Sequence, residues 1–131
     1  MILLDTHVLV MLAVKPEALS KAATRAIMRA MTRGGIAIAS ITLWEIALLI
    51  DEGRITVCGS SETFLKQILE RPGLIVLDLT PEIAALAFQF PPEFPRDPAD
   101  RIIAATARVQ GLALVTKDRR LQESALLRTI W

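Results

Sequence analysis

The chain reads as an α/β protein: a parallel sheet covered by helices on both faces, in a three-layer α/β/α arrangement. Two observations predict it. Short runs such as Ile2-Leu3-Leu4, Ile36-Ala37-Ile38-Ala39, Leu74-Ile75-Val76-Leu77 and Ala113-Leu114-Val115 are apolar without alternation, the pattern of strands buried on both faces. Between them lie longer segments with helical periodicity and recognisable starts and stops, so strands alternate with helices throughout. At 131 residues the expectation is one domain, residues 1–131, large enough for a real core.

The first strand runs into Asp5, and residues 6–13 form a short helix closed by Lys15-Pro16. Pro16 to Ser20 is a turn, with Ser20 capping a second helix that reaches about Arg33 before Gly34-Gly35. In that helix Ala23, Ala26, Ile27, Ala30 and Met31 share one side. Lys21, Arg25, Arg29 and Arg33 form a basic stripe opposite, either a solvated face or an edge that tracks phosphates. The buried strand Ile36–Ala39 ends at Ser40, taken as the N-cap of a helix through Glu52, with Gly53 after it. A helix from about Ser60-Ser61-Glu62 stops before Pro72-Gly73, and Leu74–Leu77 is a further buried strand. Thr80-Pro81-Glu82 supplies N-cap, N1 proline and first-turn acid to a helix carrying Ile83, Ala84, Leu86, Ala87 and Phe90. After the loop Pro91–Pro95, Asp97 caps and Pro98 opens a helix that ends at Gly111. A strand ending in Thr116-Lys117-Asp118, a short helix and a last strand near 127–130 complete the chain.

Hydrophobic residues make up 53% of the chain, which suits a fully covered sheet or an apolar subunit interface. The longest apolar run, Val8 to Val14, falls far short of the roughly 18 residues of a membrane span. Asp5 interrupts the only candidate signal sequence, so cytoplasmic residence is expected. The one cysteine, Cys58, makes neither an internal disulfide nor a thiolate metal site. A net charge of +1 excludes a strongly basic nucleic-acid coat and leaves binding to local patches.

Four carboxylates need explaining. Asp5 stands past a buried strand, where open α/β sheets place their chemistry, but an aspartate there also serves as a simple N-cap, a job Thr6 could share. Asp118 repeats that placement after a later strand, with flanking cations and a turn role as its ordinary explanation. Glu45 has less excuse, because Ile41, Thr42, Leu48 and Leu49 stack beside it on an almost wholly apolar helix. A charge there costs several kcal/mol, by rough estimate, unless something compensates it. Asp100 fits the third position of a helix capped by Asp97, and Arg101 is a candidate ion partner. Two strand-end acids and two acids on helices that reach the same rim form a combination that capping does not require. Converging carboxylates repel and raise one another's pKa values, and a divalent cation resolves the conflict. Carboxylates without a His or Cys cluster are ligands for Mg²⁺ or Mn²⁺ and not zinc. Such ions engage phosphate oxygens and activate water for in-line displacement.

The segments Leu4-Asp5-Thr6-His7, Ser40-Ile41-Thr42-Leu43-Trp44-Glu45-Ile46, Asp97-Pro98-Ala99-Asp100-Arg101-Ile102-Ile103-Ala104-Ala105-Thr106-Ala107 and Leu114-Val115-Thr116-Lys117-Asp118 together resemble the PIN-domain family. Within that family they are most similar to the VapC-type toxins of bacterial type II toxin–antitoxin pairs, and the resemblance spans nearly the whole chain. It implies strand order 3-2-1-4-5, which sets strands one and four side by side and brings Asp5 and Asp118 together. It also implies a Mg²⁺- or Mn²⁺-dependent endoribonuclease with Asp5, Glu45, Asp100 and Asp118 as its metal-binding and catalytic acids. Thr6, Asp97 and Thr116 would support them. A homodimer and a cognate antitoxin that blocks the site, within a larger assembly, follow from the same resemblance. The apolar helices after Asp5 and around Leu48-Leu49 are candidate surfaces for both, or ordinary core.

A stand-alone PIN ribonuclease for RNA maturation is the alternative enzyme. A receiver-like signalling module is the alternative of another class, and it leaves Glu45 and Asp100 without a role. His7 is placed in the background, because metal-activated water removes the need for a histidine base. Trp44 and Trp131 are either base-stacking residues or packing residues.

Overall fold

The computed structural model describes residues 1–131 and contains one five-stranded sheet. In chain order the elements are β1 (Ile2–Leu4), α1 (Thr6–Val14), a 3₁₀ turn (Pro16–Ala18), α2 (Lys21–Thr32), β2 (Ile36–Ala39), α3 (Ile41–Asp51) and α4 (Ser61–Leu69). They continue with β3 (Leu74–Leu77), α5 (Pro81–Ala87), α6 (Pro98–Gln110), β4 (Leu114–Val115), α7 (Arg119–Gln122) and β5 (Thr129–Ile130). The strands lie in the order β3-β2-β1-β4-β5, and every pairing is parallel. The expected α/β class and strand order are both observed.

Side chains alternate across the sheet and feed two cores. Leu3, Ala37, Ala39 and Leu114 face Ile83 and Ala87 of α5, Ile103, Ala104, Ala105 and Ala107 of α6, and Leu121 of α7. Leu4, Ile36, Ile38 and Val115 face Val8 and Leu9 of α1, Ala23, Ile27 and Ala30 of α2, Ile46 of α3 and Ile68 of α4. In β1, β2 and β4 the unbroken apolar runs therefore have the cause proposed for them: both faces are covered. Ala37 and Ala39 of β2 share the first of these cores with Ala104, Ala105 and Ala107 of α6, small side chains that suit close packing of helix on sheet. Each fully buried Leu or Ile contributes about 1.5–3 kcal/mol of hydrophobic stabilisation.

Local chemistry sets the boundaries. The hydroxyls of Ser20, Ser60 and Thr80 and the carboxylates of Asp97 and Asp118 accept backbone N–H bonds at the starts of α2, α4, α5, α6 and α7. Ser40 departs from the expectation. Its dihedrals are already helical (φ −57°, ψ −32°), so its side chain does not cap α3. Gly35 is required where β2 begins beside β3. Its φ is +88°, and a Cβ there would lie 2.6 Å from the Gly73 carbonyl oxygen.

Three other expectations are corrected. The strand β3 is not buried, because it is an edge strand, and Ile75 is 41% exposed. Met31 points to solvent, since the buried stripe of α2 is only Ala23, Ile27 and Ala30 wide. Phe90 is core but lies beyond α5, stacked on Phe94 at a centroid distance of 4.2 Å within the proline-rich loop. No helix is long and apolar enough to cross a membrane.

The topology fixes where chemistry can sit. From β1 the chain winds outward through β2 to β3, then returns to lay β4 against the other side of β1. The Asp5 N–H donates to the Val115 carbonyl at 3.0 Å, so the carboxyl ends of β1 and β4 are side by side at this switch point.

Candidate active site

A cleft of about 590 Å³ opens at those strand ends, lined by Asp5, Glu45, Asp97, Asp100 and Asp118 together with cations, among them Lys117 and Arg120. All four candidate acids and Asp97 thus share one concavity. They arrive from four places in the fold: Asp5 between β1 and α1, Glu45 from the middle of α3, Asp97 and Asp100 from the start of α6, and Asp118 from the end of the β4 segment.

Asp5 lies at the base of the cleft, 9% exposed. It is an N-cap as well as a cleft residue, so its two oxygens divide the work. One accepts from the Thr6 N–H at 2.8 Å, and the other accepts from the Thr116 hydroxyl at 2.6 Å. Thr116 in turn accepts the Asp118 N–H at 3.0 Å, so one threonine ties the two strand-end acids together. Burial raises the Asp5 pKa above the ordinary carboxylate range, an effect that the Thr116 and Thr6 hydrogen bonds and nearby His7 partly oppose.

Glu45 is half-buried, and its Oε1 accepts the Thr6 hydroxyl at 2.5 Å. The Thr6 oxygen also lies 3.1 Å from the Thr42 hydroxyl, so a small hydroxyl pair fixes α3 against the start of α1. Desolvation pushes the Glu45 pKa up, the Thr6 bond opposes this, and the neighbouring charges of Asp5 and Asp97 add to the rise. The partner of Glu45 is therefore a hydroxyl from the start of α1 and not a cation.

Asp100 is strongly perturbed as well. Burial first, then repulsion from Asp97, Asp5, Asp118 and Glu45, raises its pKa to about 7. Arg101 is not its partner, contrary to the sequence expectation. That guanidinium turns away, its Nε donating to the Pro95 carbonyl at 2.9 Å and its terminal nitrogens to the Ala87 and Phe94 carbonyls at 3.3 and 3.4 Å. It braces the proline-rich loop against α5. Asp97 caps α6 through the N–H groups of Ala99 and Asp100, at 2.8 and 3.2 Å.

Arg120 is the residue that sequence reasoning missed. Its Nε and Nη2 donate to the two Asp118 oxygens at 3.2 and 2.8 Å, and Nη2 also stands 3.4 Å from Asp100 Oδ2. These bonds hold the Asp118 pKa below its ordinary value. The available signal was Asp118-Arg119-Arg120, an arginine two residues after the acid, but a turn dense in cations hides which of them turns inward. His7 and Arg54 also line the cleft. Trp44 does not pack in the core, being 58% exposed on α3.

The donor chemistry, all carboxylate with flanking hydroxyls, fits a hard divalent cation. No three of these groups converge closely enough here to form a ready coordination cage. Asp118 and Asp100 are instead drawn onto the Arg120 guanidinium, which supplies positive charge among them.

The family described as the PIN domain matches residues 2–126. A curated relative, Ribonuclease VapC22 of Mycobacterium tuberculosis, is 40% identical over 132 residues, covering 99% of this chain and 98% of its own. Among solved structures, VapBC2 from Rickettsia felis bound to a promoter DNA fragment aligns with a TM-score of 0.71 and 19% identity, covering 98% of this chain and 97% of that one. DNA-bound VapBC from Salmonella typhimurium aligns with a TM-score of 0.71 and 23% identity, again over 98% and 97%. At these identities the two structures speak to the fold.

Proposed function

The chain belongs to the PIN-domain family, and from that premise we propose that it is a divalent-metal-dependent endoribonuclease, the toxin of a type II toxin–antitoxin pair. The observation that carries the reading is the cleft itself. Buried or half-buried carboxylates, three of them with raised pKa values, line a concavity at the switch point of the sheet. A full-length relative named as a ribonuclease supports the reaction class. A receiver-like module has no comparable support.

In this reading Asp5, Asp100 and Asp118 hold Mg²⁺ or Mn²⁺, with Glu45 at the edge of the same set. A bound ion supplies Lewis acidity toward a phosphodiester and lowers the pKa of a water nucleophile. The protein's own groups do the rest. Thr116 fixes the Asp5 carboxylate, and its single oxygen sets the spacing between Asp5 and Asp118. Thr6 holds Glu45, so a change in α3 is felt at the start of α1. Lys117, Arg54 and Arg120 offer positive charge to RNA phosphates that the acids would otherwise repel.

The partners in this proposal are RNA as substrate, a cognate antitoxin that blocks the cleft, and a second copy of the chain. The neighbours solved as toxin–antitoxin complexes support the antitoxin. Size-exclusion chromatography with light scattering checks the homodimer, and copurification from a strain expressing the adjacent open reading frame checks the antitoxin.

The test of the reaction is incubation of cellular RNA with the purified protein and Mg²⁺, beside the same reaction with chelator. Cleavage is expected with Mg²⁺ alone. Substitution Asp5→Asn should lower it by more than about 100-fold, beyond the usual 10–100-fold cost of losing a ligand's outer partner. Circular dichroism should show the fold retained. Retained Mg²⁺-dependent cleavage in Asp5→Asn removes the proposed site.

A further inference from the structure

Resting on the metal-dependent reading above, we infer that Arg120 is an exchangeable counter-ion, which competes with the divalent cation for Asp118 and Asp100 and is released toward substrate phosphate when the cation binds. The geometry carries this in three steps. First, the guanidinium takes both oxygens of Asp118, at 2.8 and 3.2 Å, and reaches Asp100 at 3.4 Å, so it touches two of the three proposed ligands. An oxygen lone pair aimed at a guanidinium N–H is not at the same time aimed at a metal. Ion and arginine therefore compete for these atoms.

Second, Arg120 is built to leave. Its side chain is 64% exposed, while those of Asp118 and Asp100 are 25% and 17% exposed. All of its side-chain hydrogen bonds go to these two acids, so nothing else in the fold holds it. The backbone capping bond between the Asp118 carboxylate and the Arg120 N–H, 2.9 Å, does not depend on the guanidinium. Arg101 shows the contrast: it is held by three backbone carbonyls and the Phe94 ring, none of which a cation at the acids would compete for.

Third, Arg120 and Lys117 both line the cleft, so a guanidinium released from the acids stays within side-chain reach of it, a planar donor suited to bidentate contact with a phosphate. The residue is thus a positioning residue with two states. It neutralises the acids when no cation does, and it faces substrate when one does.

The experiment titrates Mn²⁺ into the full-length protein and reads free Mn²⁺ by electron paramagnetic resonance, comparing wild type with Arg120→Gln and Arg120→Lys. Loss of a largely exposed competing pair should tighten Mn²⁺ binding about fivefold in Arg120→Gln. Arg120→Lys, which keeps the charge, should stay near wild type. Cleavage kinetics should show the opposite sign in substrate, a raised KM for Arg120→Gln. Mn²⁺ affinity that is unchanged or weaker in Arg120→Gln overturns the inference and leaves the nuclease reading standing. Absence of Mn²⁺ binding by wild type and variants alike overturns both. A wild-type circular dichroism spectrum and a cooperative thermal transition for Arg120→Gln, whose melting temperature should fall modestly without Mn²⁺ as the two acids lose their counter-ion, separate these results from misfolding.

Discussion

Asp100 carries a heavy electrostatic burden in the cleft, and its pH dependence is a direct readout of the carboxylate cluster. Its pKa rises from 3.8 to about 7, through burial first and then four neighbouring carboxylates. Between those values the folded protein keeps a proton that the unfolded chain has already released. Stability therefore falls as pH rises through this window, and the penalty is complete above about pH 7. An asparagine has no such titration. The melting temperature of Asp100→Asn relative to wild type should climb between about pH 4 and pH 7 and then level off. At pH 8, Mg²⁺ should raise the wild-type melting temperature more than that of the variant, because Asp100→Asn removes one anionic ligand from the cluster. A difference in melting temperature that is constant with pH would show that Asp100 titrates as an ordinary surface acid.

The elements show why a cluster so costly is tolerated: each acid sits at an end or on a helix held by other interactions. The junction of β2 with β3 is one such constraint. Gly35→Ala would put a Cβ 2.6 Å from the Gly73 oxygen at a φ of +88°. The expected cost is about 2 kcal/mol or more, measurable as a lowered urea midpoint with unchanged slope. A neutral result would mean that β3 can move away from β2 without loss. The same elements mark what was legible in the sequence. Strand–helix alternation, the caps at Ser20, Thr80 and Asp97, and the sharing of one rim by Asp5, Glu45, Asp100 and Asp118 could be read because each leaves a local pattern. Edge position leaves none. Leu74–Leu77 looks as apolar as Ile36–Ala39, yet only pairing on both sides buries a strand, and strand order is a property of the whole sheet. The turn of Arg120 toward Asp118 was equally hidden, since three consecutive residues, Arg119, Arg120 and Asp118, offer several pairings that only the backbone of α7 resolves. Ser40 failed as a cap for a related reason: the residue type permits capping, but the chain leaving β2 enters helical dihedrals one residue early.

For the whole molecule, a net charge of +1 conceals two separated basic regions, and they make opposite demands on RNA binding. One is the cleft group of Arg54, Lys117 and Arg120. The other is the α2 stripe of Lys21, Arg25, Arg29 and Arg33, all four exposed. Ion release on binding single-stranded RNA gives a slope of about −0.7 in log affinity against log salt for each phosphate neutralised. Contacts confined to the cleft cations would give a slope of about −2, and engagement of the stripe as well would give about −5. We expect the shallow slope, because the stripe lies on a helix whose buried side packs on the sheet and none of its residues lines the cleft. The measurement is fluorescence anisotropy of labelled RNA with Asp5→Asn protein, at fixed Mg²⁺ and varied KCl, so that binding is read without cleavage. Lys117→Ala should then reduce the slope by about 0.7, and Arg29→Ala should leave it unchanged. A slope near −5 that Arg29→Ala makes shallower would assign the stripe to RNA and extend the substrate path well beyond the acidic cleft.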